Sequence, residues 1–338
     1  MMNVSIIVIT KNNIKTIKKC IDGLINLNYE KNDYEIIFVD GHSNDGTDTF
    51  IKNYVNENIK LIYEDKGTMG YARNLGIKEA KGKYIFFLDA DAYPEKDWLN
   101  KVLTQFSENP NVIMIGGMDE MIGGSETSAL TNAWRRLEKS YGVSAIAKIK
   151  TVNLAIRKEI LENYGMFDES LSHYDEGELK VRLYTINPNF GFIYDPNIIV
   201  YHERSTQTTT SGLKKGFKNT VLAIPLLLKP SMAKVALKNL SSPLGISFLL
   251  MLFGAALPFI FILLLFMRNY IDLIAYSAII VILLMVLSYI AVVYLKTRKF
   301  APNLFIYLLT ELLIRSVASS YGFYKYIYKS LNQRLNGS

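Results

Sequence analysis

"YIFFLDADAYP", residues 84–94, ends an apolar run in two aspartates one residue apart. In a strand, residues i and i+2 share a face, so Asp89 and Asp91 are expected to present their carboxylates side by side. Adjacent carboxylates repel unless something cationic sits between them. A divalent cation with oxygen ligands meets that need. A polar turn after a strand is the plainer reading of an isolated Asp-x-Asp, and the flanking sequence decides between the two.

Toward the N-terminus, "VSIIVIT" (4–10) is a continuous apolar run rich in β-branched residues, as in a strand buried on both faces. A helical stretch, "TIKKCIDGLINLN", precedes a second strand, "YEIIFVD" (34–40), a loop, "GHSNDGT", and a helix from about Asp48 to Asn56. "KLIYE" (60–64), "GYARNLGIKEA" (70–80) and "KYIFFLD" (83–89) continue the alternation as strand, helix and strand. This order predicts an α/β fold with a mostly parallel sheet and helices on both faces. Ligands gather at the carboxyl ends of strands in such sheets, where Asp40 and Asp89 both fall. A dinucleotide-binding domain requires G-x-G-x-x-G after the first strand. The stretch there, "ITKNNIKT", has no glycine. That excludes the dinucleotide reading and leaves a carboxylate-held metal as the route to a diphosphate.

Five segments, "VSIIVITKNN", "IIFVDGHSNDGT", "GYARNLGIKEAKGKYIFFLDADAYP", "NLAIRKEILENYGMFDE" and "YDEGELKVRL", follow one another over roughly residues 3–205. In order and spacing they resemble the family-two glycosyltransferases of the GT-A fold. The resemblance implies a nucleotide-diphospho-sugar donor, UDP- or GDP-linked, and a Mn²⁺ or Mg²⁺ cofactor. It places Asp40 at the nucleotide base, Asp89 near the ribose and Asn153 near the donor sugar, while Arg73 and Asn74 lie on a helix beside the same strand ends, where a guanidinium suits phosphate recognition. Asp91 matches the metal ligand. His202, near the end of "FIYDPNIIVYHE", matches an extra ligand found in some relatives. The family pattern of two acids, two residues, Leu, two residues and Arg is met by Asp175, Glu176, Leu179 and Arg182. By position the general base is Glu176, where most relatives carry aspartate, with Asp175 held in reserve. Gly41 departs from the second acid that often follows the position of Asp40, so the base is left open between uracil and guanine. Glu178 and Arg182, spaced i, i+4, are expected to pair on a helix surface. His42 and His173 sit in polar loops with no assigned task.

The chain has 338 residues, half of them hydrophobic, and a formal charge of +7. Residues 244–267 and 273–295 contain no charge, and each is long enough for a hydrocarbon core that needs about 20 apolar residues. The expected organisation is a GT-A domain at 1–210, a basic amphipathic interfacial segment at 211–242, and a membrane domain at 243–338. That last part comprises spans at about 244–267 and 273–295, then an amphipathic or re-entrant helix at about 303–328, where Glu311 and Arg315 discourage a third span. Lys214, Lys215, Lys218, Lys229, Lys234 and Lys238 interleave with apolar residues, so the positive charge is assigned to membrane lipids and not to nucleic acid. "MMNVSIIVITKNN" lacks a basic leader and a cleavage site and is expected to be the first strand. The single cysteine, Cys20, excludes an internal disulfide framework. The expected location is the cell membrane, multi-pass, with the catalytic domain on the cytoplasmic face.

The expected activity is an inverting, hexosyl-type transfer to a hydroxyl of a lipid-linked or membrane-associated glycan, the membrane segments giving the reason for a lipid acceptor and the acid pair the reason for a hydroxyl. A polyprenyl-phosphate sugar synthase is the alternative within the enzyme class. A non-catalytic sugar-nucleotide sensor or scaffold is the alternative outside it.

Overall fold

The computed structural model describes residues 2–122, 139–141, 143–146, 148–171 and 175–203, together with Tyr321 and Lys325. The described strands are β1 (Val4–Thr10), β2 (Tyr34–Asp40), β3 (Ile59–Tyr63), β4 (Tyr84–Asp89), β5 (Ala92–Pro94), β6 (Val112–Ile122), β7 (Ser140–Tyr141), β8 (Leu154–Arg157) and β9 (Gly191–Glu203). The described helices are α1 (Ile17–Ile25), α2 (Thr47–Lys52), α3 (Met69–Glu79), α4 (Trp98–Glu108), α5 (Val143–Ile146), α6 (Lys158–Tyr164) and α7 (Asp175–Ile186). All the strands join one sheet in the order β3-β2-β1-β4-β8-β6-β9-β5, with β7 also paired to β9.

The first four strands of that order run parallel, as the alternation predicted. Beyond β4 the sheet is mixed. β8 lies antiparallel to both β4 and β6, β9 is parallel to β6, and β5 returns antiparallel on β9. The expectation of a mostly parallel sheet is therefore corrected to a mixed one, uniformly parallel only from β3 to β4 in the sheet order. Strand direction past β4 depends on which distant segments pair, and hydrophobic period does not encode that.

Each central strand alternates its side chains between two cores. Val4, Ile6, Val8, Ile36, Phe38, Phe86 and Leu88 pack with α1 and α4 residues such as Ile21, Leu24, Trp98 and Phe106. Ile7, Ile37, Val39, Ile85 and Phe87 face the other way, onto Ala72, Ile77, Leu161, Leu179 and Leu183 of α3, α6 and α7. Because both faces are covered, the strands read as unbroken apolar runs. The same parity assigns Asp40 to the face of Phe38. It assigns Asp89 to the face of Phe87, the one that α3 and α7 cover.

By contact, the chain separates into two compact units, Met1–Gln207 with Pro230–Val235, and Thr208–Lys229 with Ala236–Ser338. Nearly all described residues belong to the first. The expectation of a multi-pass membrane protein is corrected: among the described residues no helix is long and apolar enough to cross a membrane. The segments at 211–242, 244–267 and 273–295, and all of 303–328 except Tyr321 and Lys325, lie outside the described residues.

At the opposite end of the sheet from the aspartates, a buried glutamate locks strand register. Glu35 pairs with Ser5 across β1 and β2, and its Oε1 accepts from Ser5 Oγ at 2.7 Å and from the Lys81 N–H at 2.6 Å. Lys60 Nζ lies 3.0 Å from Oε2. Burial opposes the charged form, but these hydrogen bonds and the Lys60 charge outweigh it and hold the Glu35 carboxyl below its ordinary pKa. A carboxyl depressed in the folded state contributes full stability above the unfolded glutamate pKa and loses it as pH falls through the folded value. Glu35→Ala, which orphans the Lys81 N–H, is expected to cost about 3 kcal/mol at neutral pH in urea unfolding. Its deficit against the parent should shrink in acid; a loss of stability independent of pH would contradict the ionised role.

Candidate active site

β4 ends at Asp89, and the chain turns at Ala90 and Asp91 before β5. β5 then pairs with β9 so that Ala92 stands opposite His202. The turn is held by Thr16 Oγ1, which donates to the Ala90 carbonyl at 3.2 Å, and by the Glu203 N–H, which donates to the Asp91 carbonyl at 2.8 Å. Donor atoms of Asp89, Asp91 and His202 thereby lie within 4.8 Å of one another. The two carboxylates meet as the sequence suggested, though through a turn and not through the pleat of one strand. His202 Nε2 is 3.0 Å from Asp91 Oδ1, and its Nδ1 is 4.0 Å from Asp119 Oδ2. Burial disfavours the imidazolium, yet Asp119, Asp91 and Asp89 together lift the His202 pKa to about 9. Burial raises the Asp89 carboxyl, with Asp91 and Glu176 adding to the rise and Arg73 and His202 opposing it.

A second cluster adjoins the first from α3 and α7. Thr68 caps α3 by accepting from the Tyr71 N–H at 3.3 Å. One turn on, Arg73 is buried and ion-paired with Asp175, the first residue of α7. Its second amino group donates to Thr151 Oγ1 at 3.1 Å, and its guanidinium lies 5.5 Å from the Phe167 ring centroid. Gly70 is what lets α3 come so close, because a Cβ there would stand 2.5 Å from the Asp168 carbonyl oxygen. Burial raises the Asp175 carboxyl despite Arg73, and Glu176 adds to the rise. Glu176 is half-buried and forms no hydrogen bond among the described residues. Its charge is felt by Arg73, Asp89, Asp175 and Lys180. Lys180, one turn further along α7, is buried and donates to the Ile149 carbonyl at 2.5 Å.

The remaining candidates form hydrogen bonds within the domain. Asn74 donates to the Phe167 carbonyl at 3.0 Å and accepts from the Phe167 N–H at 3.0 Å, which splints the segment after α6. Asn153 is buried; its amide donates to the Met118 and Ile198 carbonyls at 2.9 and 3.0 Å and accepts from Trp98 Nε1 at 2.9 Å. Asp40 is fully buried, and its two oxygens take the Ser43 N–H at 2.7 Å and the Ser43 hydroxyl at 2.6 Å. Arg182 does meet Glu178 at 3.0 Å, but it also donates to the Tyr164, Gly165 and Met166 carbonyls, so it closes a helix end and is no mere surface ion pair. His42 stacks on Tyr63 with ring centroids 5.4 Å apart, and His173 lies outside the described residues.

Sequence reading missed Asp119, Thr151, Lys180 and Glu64. Asp119 had a visible signal, an acid inside the apolar run "VIMIGGMDEM". Glu64 had one too: it directly follows β3, and its Oε1 stands 3.1 Å from where a Cβ on Gly41 would be. A carboxylate thus lies beside Gly41, the residue after Asp40, from the end of the neighbouring strand.

With this geometry in hand, comparison with known proteins gives a consistent result. The profile described as glycosyl transferase family 2 matches residues 5–165. A relative from Methanococcus voltae is 30% identical over 233 residues, which cover 64% of this chain and 70% of that protein. The chain belongs to glycosyl transferase family 2. That relative is named dolichyl N-acetyl-alpha-D-glucosaminyl phosphate 3-beta-D-2,3-diacetamido-2,3-dideoxy-beta-D-glucuronosyltransferase. Glycosyltransferase AglE of Haloferax volcanii is 30% identical over 173 residues, and the chain spans only 57% of its length. Among solved structures, the mannosyltransferase PcManGT of Pyrobaculum calidifontis, in complex with GDP-Man and Mn²⁺, superimposes with a TM-score of 0.60. That match is 18% identical and covers 94% of this chain and 86% of that one. Staphylococcus aureus TarS bound to UDP-GlcNAc gives a TM-score of 0.53 at 20% identity, covering 72% of this chain and 68% of that one. These two likenesses establish the fold, a GT-A-like mixed sheet with helices on both faces.

Two carboxylates and an imidazole form a donor set that suits a divalent cation of the Mn²⁺ class.

Removing one member of a buried ion pair leaves the other charge uncompensated and costs about 3–5 kcal/mol. Arg73→Leu is therefore expected to lower unfolding stability by about that amount, and Arg73→Leu combined with Asp175→Asn to recover much of it. A single variant as stable as the parent in chemical denaturation would show that the pair does not tie α3 to α7.

Proposed function

We propose that the chain is an inverting, metal-dependent hexosyltransferase. It moves a sugar from a UDP- or GDP-linked donor to a hydroxyl of a lipid-linked glycan, with residues 1–210 as the catalytic domain. The observation that carries this reading is the meeting of the Asp89–Asp91–His202 trio with Arg73 and an unengaged Glu176 at the carboxyl edge of the sheet. The names of the relatives support the acceptor and the stereochemistry. The Methanococcus voltae protein is named for β transfer to a dolichyl-phosphate-linked sugar. The Staphylococcus aureus TarS protein is named for β transfer to a ribitol-phosphate polymer. A β product from an α-linked donor is the outcome of a single inverting displacement.

Asp91, His202 and Asp89 would hold the cation. When bound, it supplies Lewis-acid neutralisation of the charge that builds on the departing nucleoside diphosphate. The imidazole favours Mn²⁺, because Mg²⁺ prefers oxygen ligands throughout. Glu176 takes the acceptor proton as the acceptor oxygen bonds to the anomeric carbon and the bond from that carbon to the diphosphate breaks. A base must come within about 3 Å of the hydroxyl it serves. Glu176 is free to do so, whereas Asp175 is engaged by Arg73. Asp175 is thus the residue that fixes the start of α7, and Glu176 the residue that works from it. Arg73 and Asn74 act on the donor indirectly, by setting the position of α3 and of the segment at Phe167.

General-base help contributes typically about 10²–10⁴-fold. Glu176→Gln should lower transfer onto a lipid-linked glycan by about that factor, with nucleotide affinity unchanged by calorimetry. The assay is a panel of UDP- and GDP-sugars supplied with Mn²⁺ and that acceptor. Full turnover by the variant would remove Glu176 from the mechanism. A phosphate acceptor, already anionic, would be served equally by both proteins.

A further inference from the structure

Behind His202 stands a polar chain that metal binding at Nε2 alone does not require. Asp119 lies on β6, with Met121 of the same strand opposite His202 across the β6–β9 pairing. Its side chain is almost fully buried, and its Oδ2 lies 4.0 Å from His202 Nδ1. Lys150 Nζ lies 3.5 Å from the same oxygen and is only partly exposed. Nδ1 itself is buried and has no hydrogen-bond partner among the described residues.

An imidazole that ligates through one nitrogen carries its proton on the other, and in a buried site that proton needs an acceptor. The carboxylate that faces it is Asp119, whose Oδ2 lies 4.0 Å from Nδ1. Lys150 supplies the countercharge that allows a carboxylate to remain ionised so deep in the fold. We infer that Asp119, steadied by Lys150, is a positioning residue that orients His202 and holds its Nδ1 proton so that Nε2 is presented to the cation. The inference rests on the metal-dependent reading proposed above and adds to it a determinant of cation affinity on a strand that supplies no ligand. β6 is fixed in the sheet on both sides, so the orientation is built into the fold and not recruited on binding.

The test measures Mn²⁺ affinity of the full-length protein by electron paramagnetic resonance, in the presence of UDP or GDP, without reference to turnover. Outer-shell partners of ligating histidines change metal affinity by about 10–100-fold. Asp119→Asn, close in shape, is expected to weaken Mn²⁺ binding within that range. In a His202→Ala background the same change should have no effect, because Asp119 acts through the ring. Lys150→Met should weaken binding in the same direction but by less. Circular dichroism and melting of each variant identify any that fail to fold, and Asp119→Glu, which keeps the charge, should retain more affinity than Asp119→Asn. An Asp119→Asn protein that is folded and binds Mn²⁺ as tightly as the parent overturns the inference. So does a loss of equal size with and without His202. Failure of the parent itself to bind Mn²⁺ would instead overturn the metal-dependent reading on which the inference stands.

Discussion

The site depends on one guanidinium buried against one carboxylate. Arg73 and Asp175 come from helices a hundred residues apart in sequence, and their pairing anchors both to the same face of the sheet. Such a pair gives little net stability, since the cost of desolvating both charges offsets most of their attraction. Its value is positional. With Asp175 held, the next residue of α7 falls beside Asp89, half-buried and without a hydrogen-bond partner among the described residues. The site therefore contains two neighbouring acids of similar chemistry, one fixed by Arg73 and the other uncommitted among the described residues.

Crowded carboxylates are the second constraint. Asp89, Asp91, Asp119, Asp175 and Glu176 occupy a small volume, with Arg73, His202, Lys150 and Lys180 distributed among them. Burial raises the Asp89 and Asp175 carboxyls, and their acidic neighbours raise them further. Like charges at this density are held together only because each faces a base or lies where a cation fits.

Much of this was legible in the sequence, for physical reasons that differ by element. The first four strands of the sheet order and their helices follow from unbroken β-branched runs alternating with helical stretches. The Asp-x-Asp at the end of β4 pointed to a place where a cation would fit, because two adjacent acids after an apolar strand are costly. His202 stood out as a base near the end of a long strand. The mixed half of the sheet was not legible, since antiparallel β8 and β5 arise from pairings between distant segments. Nor was the splinting of backbone by the Asn74 and Asn153 amides legible, since it depends on which carbonyls lie within reach. Asp119 and Lys180 were overlooked because an acid or a lysine within an apolar pattern reads as an exposed position unless its partner is known.

The pairing of β5 with β9 has a consequence for synthesis on the ribosome. Asp89 and Asp91 emerge early, but the third donor arrives with His202, more than a hundred residues further along the chain. The strand that carries it must dock on both β6 and β5 before the trio exists. Long-range strand pairing of this kind is slow to close. A nascent chain thus holds Asp89 and Asp91 without the His202 imidazole until β9 has docked. The trio thereby reports completion of the fold: in an incompletely made chain its three side chains do not meet.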